Sequence, residues 1–181
     1  MKIMNVILSC AALLFAAGCG AQDNPEFNVT IDDTVKELDL NRYLGKWYEI
    51  ARFDHSFERG LVGATANYSL REDGKIKVLN TGYKDSFEGK FNEAEAKAYI
   101  PDENYPGALK VSFFLFFYSD YWVLDLDENY TFALIGSKKE KYLWILSRTP
   151  EMAPADLDRV LNRATSLGYN TGELIWVEQR D

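Results

Sequence analysis

His55 is the only histidine of this chain, and it stands between Asp54 and Ser56 with Glu58 three residues on. These are the side chains best suited to moving a proton. Acid, imidazole and hydroxyl in direct succession nevertheless make no catalytic triad, because neighbours on one strand or turn cannot converge on a shared point. No second histidine accompanies His55, whereas a zinc site takes three or four ligands from spaced positions. The only cysteines, Cys10 and Cys19, both fall near the N-terminus, so the body of the chain has no thiol nucleophile. His55 therefore reads as a structural or surface group. The chain reads as a binding protein rather than an enzyme, with no metal and no cofactor.

Cys19 has chemistry of another kind. Lys2 is followed by an apolar run from Ile3 to Phe15, interrupted by little more than Asn5 and Ser9, and then by Ala16-Ala17-Gly18-Cys19. A short cation, an apolar stretch and small residues describe an export signal. The stretch falls short of the roughly 20 apolar residues that span a bilayer. Ala-Ala-Gly-Cys resembles the lipobox of bacterial lipoproteins, although leucine is commoner where Ala16 stands. The resemblance implies cleavage before Cys19, a diacylglycerol on its thiol and an acyl group on its new amine. A plain secretory signal with an incidental cysteine is the competing reading. The expected division is a signal peptide over 1–18, the lipidated cysteine and a polar tether over 19–33, and one domain over 34–181.

The net charge of −8 argues against nucleic acid and against electrostatic docking on anionic lipid. Attachment to a membrane then depends on the acyl groups, and on more than one of them. A mature chain without a disulfide must hold together by packing, and about 160 residues suffice for one proper core.

Short strands punctuated by turns would supply that core. Trp47, Glu49, Ala51 and Phe53 share one face of a first strand, with Tyr48, Ile50 and Arg52 on the other. Gly45, just before it, suits a close backbone approach or a positive φ. Ala64, Ala66, Tyr68 and Leu70 alternate with polar residues, and Asp73-Gly74 signals a hairpin turn into a strand over Ile76–Tyr83. Further strands are predicted at Phe91–Ile100, Ala108–Phe114, Tyr118–Leu126, Tyr130–Ser137 and Tyr142–Arg148. Eight such strands with turns every 8–12 residues suggest an antiparallel barrel or sandwich. One helix follows, with Pro154 in its first turn, an apolar stripe from Leu157 to Leu167, and Gly168 as its stop. A last strand is expected over Leu174–Val177.

An eight-stranded barrel either packs solid or holds one ligand. The small inward faces Ala64/Ala66 and Ala94/Ala96/Ala98 favour the hollow form, while Tyr121, Tyr142 and Trp144 could fill it.

Gly45-Lys46-Trp47-Tyr48, Asp127-Glu128-Asn129-Tyr130 and Arg148 resemble the three signatures of the lipocalins. Glu49 to Gly60, Leu143 to Pro150 and Leu174-Ile175-Trp176-Val177 are similar to the bacterial outer-membrane lipoprotein lipocalins, so the resemblance covers the mature domain. It implies an all-β fold, an eight-stranded up-and-down barrel with one open mouth and a C-terminal helix outside. It also implies a lipid-anchored protein of the outer membrane that binds fatty acids or lysophospholipids. Gly45, Trp47, Asp127, Tyr130 and Arg148 would be structural, with Arg148 laid on the Trp47 indole.

Counting strand parity from these signatures gives the expected cavity wall: Ala66, Tyr68, Ala96, Ala98, Leu109, Val111, Phe113, Tyr121, Val123, Tyr142 and Trp144. The tyrosine hydroxyls would hold an ester or phosphate oxygen. Lys138, Lys139 and Lys141 either meet an anionic head group at the mouth or belong to a solvated turn. The aromatic run Phe113–Tyr118, where family members often have glycine and proline, is open to four readings: a gate, a bilayer contact, a homodimer contact or simple core burial.

Overall fold

The computed structural model describes residues 25–180, so Cys19 and the export signal lie outside the described residues. After a short 3-10 turn at Ile31–Asp33 and a one-turn helix α1 (Leu40–Tyr43), the chain forms β1 (Gly45–Arg52), β2 (Leu61–Leu70), β3 (Ile76–Lys84), β4 (Phe91–Tyr99), β5 (Ala108–Phe114), β6 (Phe117–Leu126), β7 (Phe132–Gly136) and β8 (Leu143–Ser147). The helix α2 (Pro154–Ser166), a 3-10 turn at Thr171–Glu173 and a two-residue strand β9 (Ile175–Trp176) complete it. From β1 to β8 each strand pairs antiparallel with the next, and β8 returns to β1 to close the ring. This is the expected eight-stranded barrel with one added strand.

Closure depends on the C-terminal tail. β1 pairs with β2 only from Gly45 to Tyr48. Beyond that the seam is occupied by β9 on Ala51 and Arg52 and by Gln179, whose amide donates to the carbonyls of Glu49 (2.7 Å) and Ala64 (2.9 Å). The backbone polar groups of both edges thereby find partners.

Up-and-down connectivity fixes the two ends. The turns after β2, β4 and β6, with the entry to β1 at Gly45, form the closed end. The connections after β1, β3, β5 and β7 form the mouth. At the closed end Trp47 is fully buried, and its indole N–H donates to the Tyr43 carbonyl at 2.8 Å. The Arg148 guanidinium lies 3.8 Å from the Trp47 ring centroid, and its nitrogens donate to the carbonyls of Arg42 (2.6 Å), Lys46 (2.8 Å), Tyr43 (3.1 Å) and Tyr130 (3.2 Å). Cation–π attraction and four carbonyl contacts make one arginine the clasp of this end. Asp127 ties the neighbouring turn by accepting from Asn129 N and Thr131 Oγ1, while the Tyr130 hydroxyl accepts from Asp39 N.

Two apolar layers result. One fills the barrel's lower half with Tyr43, Trp47, Ile76, Val78, Leu109, Val123 and Ile135. The other lies between barrel and α2, where Val160 and Ala164 meet Leu124, Leu134 and Ile145. β7 is consequently buried on both faces. Gly168 ends α2 with φ 87°. The N-terminal segment is held against this outer layer and is not a solvated tether after Pro25. Phe27 packs edge-on to Tyr169 at 5.0 Å, Val29 is buried, and Val35 N donates to the Val123 carbonyl.

Candidate ligand-binding site

Above the lower apolar layer the barrel is hollow, with a cavity of about 530 Å³ open at the mouth. That volume falls in the range of about 300–1,000 Å³ usual for small-ligand sites. Ala66, Tyr68, Val111, Phe113, Tyr121, Tyr142 and Trp144 line it, together with Ala64, Ala94, Leu61, Ile135 and Leu146. The alanines make room: Ala64 and Ala66 on β2 and Ala94 on β4 end at Cβ.

Ala96, Ala98, Leu109 and Val123 do not reach this lining. They are buried in the packed layer with Tyr43 and Trp47, below the cavity. Their inward parity matches the prediction, but their level along the barrel axis places them under the floor. Tyr68 and Tyr121 form that floor. The hydroxyls of Tyr43 and Tyr68 each lie 2.7 Å from that of Tyr121, so these groups bond to one another and are not set out for a ligand's ester or phosphate. Burial raises the pKa of all three phenols, and they remain protonated.

The wall beside β1 is polar. Strict alternation would turn Arg52 outward, away from Trp47. A bulge between Glu49 and Ala51 shifts the register against β8, and Arg52 instead turns inward, 1% exposed. It donates to Glu49 Oε1 at 2.6 Å and to the Glu58 carbonyl at 2.7 Å. Glu58 Oε2 accepts from Trp144 Nε1 at 3.0 Å and lies 3.2 Å from His55 Nε2. His55 is buried and stacked on Phe57, so its role is on the structural side of the sequence reading, away from the surface.

One guanidinium thus faces two buried carboxyl groups. Burial, and then the charge of Glu58, push Glu49 up to about 8 against the attraction of Arg52. Burial also raises Glu58, opposed by the Trp144 hydrogen bond and Arg52. Burial and then Arg52 push His55 down to about 4, leaving it neutral. Glu49 is therefore protonated at neutral pH, beside the raised Glu58 and the Arg52 guanidinium.

This arrangement has a pH signature. Glu49 titrates near 8 when folded and at 4.5 when free, so folding takes up a proton in that interval and stability falls as pH rises through it. His55 acts in the opposite sense. Its contribution is complete above 6.5 and is lost as pH falls toward 4. Above about pH 6.5 the Glu49 trend remains, with the raised Glu58 acting in the same sense, so the urea midpoint is expected to fall between about pH 6.5 and 8. Glu49→Gln should flatten it. An undiminished fall in Glu49→Gln would assign the proton elsewhere.

Glu49, Glu58, Asn80 and Asn92 also line the cavity, although sequence reasoning did not include them. Asn80 continues the face of Ile76 and Val78, and that period was the available signal. Among the lysines of the connection after β7, Lys138 lies 3.7 Å from Asp120 and Lys141 covers the Tyr142 ring at 4.9 Å.

The Lipocalin-like domain family matches residues 38–179. The chain is 49% identical to the outer membrane lipoprotein Blc of Vibrio cholerae over 147 residues, covering 81% of this chain and 85% of that protein. It is 45% identical to that of Citrobacter freundii over 179 residues, covering 99% and 98%. Among solved structures, insecticyanin from the tobacco hornworm Manduca sexta superposes with a TM-score of 0.65 at 22% identity, covering 82% of this chain and 84% of that one. Lobster apocrustacyanin A1 gives 0.62 at 18%, covering 78% and 79%. At such identities these two speak for the fold alone. Barrel, closed-end clasp and sequence kinship agree: this chain belongs to the lipocalin family, on its bacterial outer-membrane lipoprotein branch.

Proposed function

We propose that the cavity takes up the acyl chain of a fatty acid or lysophospholipid, in a protein held at the outer membrane by lipid on Cys19. The observation that carries this reading is the alanine-walled cavity of about 530 Å³, apolar over most of its wall and open at one end. Its apolar wall suits a chain entering methyl-first. Glu49 and Glu58 on the wall disfavour a carboxylate or phosphate carried inward, and the floor hydroxyls are engaged with each other. The anionic head then stays at the mouth, within reach of Lys138 and Lys139.

Each methylene buried contributes about 0.8 kcal/mol gross, so a long chain supplies on the order of 10 kcal/mol before losses. Ordering the chain and losing translational freedom remove much of this, which places affinity near the micromolar range. An apolar wall of this kind separates neighbouring chain lengths weakly. Its role would be storage, scavenging or transport of such lipids at the envelope, as a binding protein without turnover.

The test is displacement of a fluorescent acyl probe by fatty acids and by lysophospholipids. Saturable, roughly micromolar displacement is expected, with affinity changing by about 15-fold at most between chains differing by two methylenes. Probe binding that no acyl lipid displaces would refute the assignment.

A further inference from the structure

We infer that the mouth of the barrel docks on the bilayer through the β5–β6 hairpin tip, Phe113-Phe114-Leu115-Phe116-Phe117, so that the cavity opens directly onto lipid. The orientation rests on the proposed lipid anchor at Cys19 and extends it.

The first observation is the distribution of exposed apolar side chains. Phe114 is 67% exposed, Leu115 59%, Phe116 83% and Phe117 76%. Phe57, Phe91, Ile175 and Trp176 are also exposed, and all belong to the mouth half: the connection after β1, the start of β4, and β9 on the upper end of β1. Among the described residues, Leu70 is the only exposed large apolar residue at the closed end. A cluster of this kind on one pole marks a binding surface and differs from the scattered exposure of ordinary monomers.

The second observation is the route of the chain. Phe27 packs on Tyr169, whose hydroxyl donates to the Ser137 carbonyl at the start of the connection after β7, on the mouth side. From there the segment descends the barrel wall, through Val35 beside Val123, to Asp39 beside Tyr130 at the closed end. The chain therefore joins the barrel at mouth level. Cys19 lies eight residues before Phe27, a reach of roughly 28 Å when fully extended. That reach is centred on the mouth. The closed end comes to a membrane only if the linker doubles back along the wall.

A third feature shows what docking would achieve. β4 pairs with β5 only from Lys97 to Tyr99, so the mouthward half of β4, Phe91 to Ala96, has no strand on that edge. The cavity reaches this gap, with Asn92, Glu93, Ala94, Ser119 and Asp120 on its lining. The aromatic tip stands beside it. A single-chain lipid leaving the bilayer can pass along the tip into the barrel without crossing water. The tip also holds Leu115 at φ 48°, a left-handed conformation that costs an L side chain about 1–2 kcal/mol where glycine would be free of strain. The acidic net charge makes this insertion apolar in kind, with no need of anionic lipid.

The test uses the full lipidated protein in phosphatidylethanolamine/phosphatidylglycerol vesicles, with acylation of Cys19 first established by mass spectrometry of its N-terminal peptide. An environment-sensitive fluorophore is attached at Phe116→Cys or, at the closed end, at Asp73→Cys; the Cys19 thiol, held as a thioether, takes no label. Blue-shifted emission and quenching by doxyl lipid are expected at 116 and not at 73. Blue shift at 116 without lipid quenching, with 116–116 cross-linking, would assign the tip to a second copy of the chain and overturn the inference. Solvent-exposed emission at 116 would overturn it as well. A Cys19 found free of acyl groups would remove the anchor reading itself. In the paired variant Phe116→Glu/Phe117→Glu, transfer of a labelled lysophospholipid out of vesicles should slow at least about tenfold. Its affinity for a soluble acyl probe should stay unchanged, since neither residue lines the cavity.

Discussion

Replacing Arg52 with methionine is expected to lower the unfolding free energy by about 3–5 kcal/mol, among the largest effects of any single substitution here. The side chain is 1% exposed and donates to Glu49 Oε1 and to the carbonyls of Glu58 and Leu61. Methionine fills similar space, so the loss is electrostatic and falls on what remains. Two buried carboxyl groups would stand without a counter-charge, and two carbonyls without a donor. Both carboxyls should then bind protons, which makes the variant lose stability more steeply than the wild type as pH rises. Arg52→Met/Glu49→Gln should recover part of the loss, because the two residues share one interaction and their effects cannot add. Urea unfolding of the two single variants and the double variant checks this directly. Strict additivity would mean that Glu49 and Arg52 act independently.

The second large effect concerns binding. Val111→Trp, projecting from β5, and Ala66→Phe, from β2, both enlarge side chains that line the cavity. Excluding even two methylenes of a bound chain forfeits about 1.6 kcal/mol, more than tenfold in affinity. An indole displaces more, so acyl-probe affinity should fall about tenfold in Ala66→Phe and about a hundredfold in Val111→Trp. Stability should change little, because the added atoms enter empty space and no occupied core is crowded. Thermal unfolding and probe titration on the same samples separate the two effects. Normal binding in both variants would place the ligand elsewhere.

Much of the architecture was legible because local chemistry states it plainly. Asp73-Gly74 marks the β2–β3 turn, where Gly74 holds φ 77°. The stripe of α2 and its stop at Gly168 are read from a 3.6-residue period and one glycine. Trp47 and Arg148 announced the closed end because an indole and a distant guanidinium have few other reasons to match a known spacing. The site was less legible, for two reasons.

Strand parity tells inside from outside but not height along the barrel. Ala96 and Ala98 share a face with Ala94, yet only Ala94 stands above the Tyr68–Tyr121 floor. The fault lies in axial level, which depends on how strands tilt and stagger around the ring. Arg52 failed differently. No glycine or proline stands between Trp47 and Arg52 to flag the bulge after Glu49, so the two-residue period was carried one step too far. With Arg52 turned outward on paper, Glu49 and Glu58 lost the partner that makes a polar wall intelligible. The aromatic run was read as the short connection between strands at Ala108–Phe114 and Tyr118–Leu126, as found, but its tight turn was not, since Leu115 takes a backbone conformation that leucine seldom adopts.

The central claim is that the cavity holds one single-chain acyl lipid. Native mass spectrometry of protein released from its own membranes tests it most directly, with wild type and Val111→Trp prepared side by side. The wild type should carry one non-covalent adduct with the mass of a fatty acid or lysophospholipid, and Val111→Trp should have lost it. An adduct equally abundant in both proteins, or absent from both, would contradict the account.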